Sequence, residues 1–235
     1  MKVEIWSDIM CPFCYLGKHR FEKAVAQFPH KDKIEIVWKS FQLDPTLKGV
    51  ISKESYFAKK GFPEAQYKAM TANIASAAVE EGLEMNMDDI IISNTTKAHL
   101  LLQLAKSLGK SNLAEEVLFY MYFTEGYNID DEASLFEAGK RLGIDREKVA
   151  NALENKELIA AFEKDLMEAQ QFGISGVPFF IFDRKYAVSG AQAPDHFLGA
   201  LNQSFQEWEA KQSKPFLDIS ASDTGKSCDI SGNCI

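Results

Sequence analysis

The sequence predicts an α/β fold in which a small mixed sheet is interrupted by a large all-helical insertion. Three observations predict it. The chain opens on an apolar segment, an amphipathic helix pattern and a second apolar segment, which is a βαβ reading. From residue 53 to residue 172 the apolar period is that of helices, and no strand of convincing length appears. After Gly173 the period changes again, to two short strands and a closing helix.

Each element has a local reason. Residues 3–7 are a short apolar-rich strand. Residues 11–28 carry a stripe of Phe13, Leu16, Phe21, Ala24, Val25 and Phe28. Pro12 suits the first helical turn, where its missing N–H costs nothing, and Pro29 stops the helix. Residues 34–39 alternate as a second strand, and a crossover of this length favours a parallel pair. Residues 63–80 space Met70, Ile74, Ala77 and Ala78 as a helix that Gly82 ends. Thr95 or Thr96 caps a helix through Leu108, closed by Gly109. Further helices cover 111–123, 132–142 and two stretches between 145 and 172, with breaks at Gly126, Asn128 and Gly143. Residues 177–182 and 185–188 form a hairpin through Asp183 and Arg184, and 194–212 is a helix. The expected organisation is a first sheet part (1–52), the helical insertion (53–172), a second sheet part (173–212) and a tail (213–235) bearing Cys228 and Cys234.

Composition narrows the function. With 46% hydrophobic and 26% charged residues in 235, the chain can build a core, and four cysteines are too few for a disulfide scaffold. Lys and Arg total 26 against 34 Asp and Glu, a net charge of -8, with no basic run, so neither nucleic acid nor an anionic membrane is an expected partner. No apolar run approaches a membrane span, and the first residues show no apolar leader, so a cytoplasmic location is expected. Cysteines in a reducing compartment are more often catalytic, metal-binding or redox-sensing than structural.

Cys11-Pro12-Phe13-Cys14 follows a strand and opens a helix. At a helix start the Cys11 sulfur meets unpaired N–H groups and the positive end of the dipole, which favour the thiolate, the form that attacks disulfides. Cys14 lies one turn on, within reach of an intramolecular disulfide. Cys11 is therefore the expected exposed nucleophile and Cys14 the resolving thiol. Inert core cysteines, and a zinc site built from all four thiols, are the competing readings. The tail pair, with five residues between its cysteines, exceeds the usual zinc-ligand spacing. Val177-Pro178 heads a strong strand, where a cis bond would expose Val177 backbone groups to an extended peptide.

These landmarks resemble the DsbA-like thioredoxin superfamily in its cytoplasmic FrnE-like branch. Cys11-Pro12-Phe13-Cys14 resembles the redox motif, and Val177-Pro178 the cis-proline loop beside it. The segments 94–99 and 122–126 resemble parts of the branch's helical insertion. The resemblance implies a thioredoxin-like fold and thiol-disulfide oxidoreductase activity on protein or low-molecular-weight disulfides, with glutathione a further candidate partner, no bound cofactor or metal, and a monomer or homodimer. It implies catalytic roles for Cys11, Cys14 and Pro178 and an auxiliary redox pair in Cys228 and Cys234; from the residues themselves, Pro12, Phe13 and Val177 are the expected substrate contacts. The related 2-hydroxychromene-2-carboxylate isomerases and kappa-class glutathione transferases, which usually carry serine at the first active position, supply an alternative. A redox-regulated binding protein is another.

Other residues carry two readings. His99, among leucines, is either a buried hydrogen-bonded histidine or a substrate-groove residue. Asp8 either carries protons for Cys14 or caps the helix. Trp6 is expected near Cys11, and His19 is expected at the surface or against the insertion. Tyr120, Tyr122, Phe123 and Tyr127 either pack a core or line a groove.

Overall fold

In the computed structural model, residues 1–212 are described; Cys228, Cys234 and the rest of the tail reading lie outside the described residues. The elements are β1 (Lys2–Ser7), α1 (Pro12–Gln27), β2 (Glu35–Ser40), α2 (Lys53–Lys59), α3 (Glu64–Glu80), α4 (Thr96–Ser107), α5 (Ser111–Phe123), α6 (Glu132–Arg141), α7 (Arg146–Ala152), α8 (Lys156–Gln171), β3 (Phe179–Phe182), β4 (Tyr186–Ser189) and α9 (Pro194–Gln212). The sheet order is β2-β1-β3-β4, with β1 parallel to β2 and antiparallel to β3. All seven helices α2–α8 fall between β2 and β3 in the chain.

Alternation along the strands divides the sheet's two faces. Val3 and Ile5 stand opposite Phe182 and Phe180, and join Phe21 and Phe28 of α1 and Phe197, Leu201 and Phe205 of α9 in one core. Trp6 and Ile181 point the other way, onto Ala169 of α8 and Ile174. A third and larger core fills the helical segment and includes Cys11, Cys14 and Tyr15 at its border with the sheet.

Three local readings change. β3 begins at Phe179 and not at residue 177, because Pro178 has no N–H to give a ladder. Thr95 is the N-cap of α4 but makes no side-chain cap; Asn94 Oδ1 accepts the Thr96 N–H at 2.8 Å in its place. The short α2 is a separate helix, started by Ser52, whose hydroxyl accepts the Ser55 N–H at 3.2 Å. The β3–β4 turn runs through Asp183 and Arg184 at φ 48° and 52°, left-handed conformations that non-glycine residues adopt at some cost. The Arg184 guanidinium grips Glu4 with two hydrogen bonds, of 2.8 and 2.7 Å, which holds the turn against β1.

Candidate active site

β1 delivers the chain to a buried loop, residues 8–10, and Cys11 is the N-cap of α1 with Pro12 at its first turn. The Cys11 N–H donates to the Asp8 carbonyl at 2.9 Å, and the Cys14 N–H to the Cys11 carbonyl at 3.0 Å, so the tight entry to the helix sets both sulfurs. Among the described residues both cysteines are free thiols.

The expectation of an exposed Cys11 is corrected. Cys11 is only 4% exposed and Cys14 1%. Cys11 instead meets solvent space through a cavity of about 370 Å³, whose wall includes Met10, Pro12, Phe13, Tyr56, Ile74, Tyr122 and Val177. Pro12 and Phe13 both line this cavity, and Phe13 is exposed at the rim. Burial pushes the Cys14 thiol well above its ordinary pKa, and a hydrogen bond with Cys11 and the charge Cys11 carries when ionised act in the same direction. Cys14 therefore keeps its proton in the resting dithiol.

The Val177–Pro178 peptide is cis. The atom of this loop that reaches the redox pair is the Val177 carbonyl oxygen, which accepts a hydrogen bond from Cys11 Sγ at 3.5 Å. Pro178 is buried against α1 at Gly17, where a Cβ would lie 2.8 Å from the proline Cγ.

Three expectations fail on geometry. His99 does not line the cavity; it is 0% exposed, with Nε2 3.3 Å from Asp8 Oδ1 and its ring stacked on Phe162. Its substrate-contact role gives way to the buried reading. Asp8 makes no side-chain cap; its carboxylate is taken by His99 and by the Leu43 N–H at 2.7 Å. Trp6 likewise turns from the cavity, and its Nε1–H donates to the Asp165 carbonyl at 3.1 Å. His19 packs edge-on against Tyr15 and lies 3.1 Å from Glu116 on α5. His19, Glu22 and Glu116 bring ligand atoms within 4.8 Å of one another, but the Lys18 ammonium already pairs with both carboxylates, at 3.0 and 2.5 Å. Burial works to raise the Glu116 pKa, yet hydrogen bonds and charge from His19 and Lys18 outweigh it and bring it down to about 2.

Of the aromatic cluster in the helical segment, Tyr120 is exposed and Phe123 is core, while Tyr122 lines the cavity. Sequence reasoning missed the far wall, Tyr56 and Phe57 of α2, Met70 and Ile74 of α3, and Met87 beyond. A signal was present: Met70, Met85 and Met87 are clustered in one stretch, and methionine suits adaptable apolar surfaces. Burial pushes the Tyr56 phenol up to about 12, helped by the charges of Asp44, Asp8 and Cys11.

The comparisons with known proteins bear on the family and the fold. The DSBA-like thioredoxin domain family matches residues 2–202. The Bacillus subtilis (strain 168) protein YwbO is 28% identical over 202 residues, covering 85% of this chain and 95% of its own. The crystal structure of a probable DsbA oxidoreductase from Streptomyces coelicolor superposes with a TM-score of 0.85 at 37% identity, over 100% of this chain and 98% of that one. The cytosolic disulfide reductase DsbM from Pseudomonas aeruginosa shares the fold, with a TM-score of 0.63 at 15% identity over 88% of this chain and 100% of that one. No helix among the described residues is long and apolar enough to cross a membrane. A mixed sheet, a dithiol at the first helix start and a family match over nearly the whole chain lead to one assignment: this protein belongs to the DSBA-like thioredoxin domain family.

Proposed function

We propose that the chain is a thiol-disulfide oxidoreductase that exchanges the Cys11/Cys14 dithiol with protein or low-molecular-weight disulfides. The observation that carries this reading is the placement of Cys11 Sγ, 3.5 Å from the Val177 carbonyl at the wall of an apolar cavity, with Cys14 buried and protonated behind it. In the reducing direction the Cys11 thiolate attacks one sulfur of the substrate disulfide. The S–S bond breaks, a mixed disulfide forms on Cys11, and the first substrate sulfur leaves as a thiolate that takes up a proton. Cys14 then loses its proton and attacks Cys11, closing the intramolecular disulfide and releasing the second substrate thiol. Once Cys11 is bonded to substrate it no longer donates to Val177, and that carbonyl is freed to accept a backbone N–H of an extended peptide.

Regeneration needs a thiol donor. Glutathione is a candidate, since DsbM has been solved with GSH, and the tail pair Cys228 and Cys234 is proposed to relay electrons by exchange with the first pair. The proposed site of action is the cytoplasm, where a reducing environment would keep the dithiol ready to attack.

The test is direct. Cys11→Ser is expected to lower insulin reduction by roughly 100-fold or more, while Cys14→Ser performs the first step and accumulates mixed disulfides visible by intact mass. Wild-type turnover in Cys11→Ser would remove the mechanism. A glutathione conjugation or isomerisation that survives Cys14→Ser would favour the transferase or isomerase alternative.

A further inference from the structure

We infer that the cavity beside Cys11 is a binding pocket for an uncharged apolar group carrying one hydrogen-bond acceptor, and that the Tyr122 hydroxyl is the donor that meets it. The inference deepens the exchange reading by naming the class of substrate, and rests on that reading for its chemistry.

The cavity wall is apolar almost throughout. Its charged side chain is Lys60, whose ammonium is 3.0 Å from Asp44 and lies over the Tyr56 ring, so it is already paired. A charged ligand group would lose its hydration there and find no free counter-charge. The volume of about 370 Å³ suits a group of one or two rings.

One polar feature stands out against that wall. Tyr122 lines the cavity and is 1% exposed, and its hydroxyl has no hydrogen-bond partner among the described residues. Buried hydroxyls are ordinarily paired, and an unpaired buried donor is a costlier omission than an under-used acceptor. Burial, with the Asp8 charge and Tyr56 adding to it, holds the phenol in its neutral form. It is thus a neutral O–H donor held just behind the wall of the cavity that also opens to Cys11, and a bound group meets it through a small outward shift of that wall. A substrate whose apolar group carries a carbonyl completes it, and an isosteric group without the carbonyl leaves it unpaired. A site built this way discriminates against the analogue that lacks the acceptor.

The experiment uses the pre-reduced full chain in single turnovers, where the dithiol itself supplies the two electrons. The probes are N,N′-dibenzoylcystamine (aromatic with a carbonyl), bis(2-phenylethyl) disulfide (aromatic without one) and glutathione disulfide (charged). The benzoyl probe is expected to half-saturate at roughly tenfold lower concentration than glutathione disulfide. Tyr122→Phe is expected to raise that half-saturation about fivefold to tenfold, with little change in maximal rate and none in the response to the carbonyl-free probe. Equal shifts for both aromatic probes, no shift for either, or a preference for glutathione disulfide would overturn the inference. Because the hydroxyl is unpaired, Tyr122→Phe is expected to leave Tm unchanged or raised, and a lowered Tm overturns it too. If no disulfide oxidises the pair, the exchange reading fails by itself. The pocket is then judged by calorimetry with the sulfur-free amide N-ethylbenzamide, which should bind the wild type at least fivefold more tightly than Tyr122→Phe.

Discussion

Cys14 owes its place in the chemistry to depth. At 1% exposure, with burial raising its pKa, it waits protonated until the mixed disulfide forms above it. Brief iodoacetamide treatment of the reduced protein at neutral pH is expected to modify Cys11 and spare Cys14, read by peptide mass; equal labelling would show that Cys14 is no deeper in reach than Cys11. A second buried acid has a consequence for the whole pH profile. Burial raises the Glu115 pKa from 4.5 to about 8, and its Oε2 has no partner among the described residues. Between those values the folded state holds a proton that the unfolded chain has lost, so stability falls as pH rises, by up to about 1.4 kcal/mol per pH unit from this group. Glu115→Gln is expected to flatten that slope in urea denaturation at pH 5 and pH 8; an unchanged slope would show that Glu115 ionises normally. The redox dithiol was legible from residue spacing alone. Tyr122 was a groove candidate from the sequence, but its unpaired hydroxyl and the unpaired oxygen of the Glu115 carboxyl were not legible, because whether a polar atom finds a partner depends on side chains far away in the chain.

At the level of elements, α1 and the Val177–Pro178 loop are fitted to each other through Gly17. A glycine inside a helix costs about 1 kcal/mol relative to alanine, and here it admits the Pro178 ring, whose Cγ would lie 2.8 Å from a Cβ. Gly17→Ala therefore gains helix propensity but forces the loop away from Cys11. The expected outcome is a stability change of no more than about 2 kcal/mol and an exchange rate lower by roughly tenfold, measured by urea denaturation and stopped-flow fluorescence. An unaltered rate would show that the loop has slack. An interior glycine already signals a close approach, so this contact had a trace in the sequence, although its partner did not. Helix periods placed α3 to α6 and α9 to within a residue or two, since apolar spacing and glycine stops act locally, and gave α7 and α8 only as two helices between 145 and 172. The start of β3 and the cap of α4 depended on single hydrogen bonds that spacing does not encode.

Across the molecule, Asp165 ties the helices to the sheet. Only 3% exposed, it accepts the Ser40 N–H at 3.1 Å and Gln103 at 2.8 Å, and its carboxylate is 3.0 Å from the Lys39 ammonium. Asp165→Ala strands these donors, and a loss of about 3 kcal/mol is expected in denaturant titration; a loss under about 1 kcal/mol would mean that the network is dispensable. Division of the chain into sheet and helical stretches was legible from the change of apolar period. The polar ties between them were not, because Asp165, Ser40 and Gln103 meet only after the chain has folded.

Val177 stands 166 residues beyond Cys11. During synthesis both thiols leave the ribosome long before the carbonyl that will sit over them has been translated. For that interval they are an ordinary dithiol on a nascent strand, open to any oxidant that diffuses past. Discrimination begins only when the last quarter of the polypeptide has emerged and docked, so a prematurely terminated product would retain reactivity while lacking any means of choosing its target.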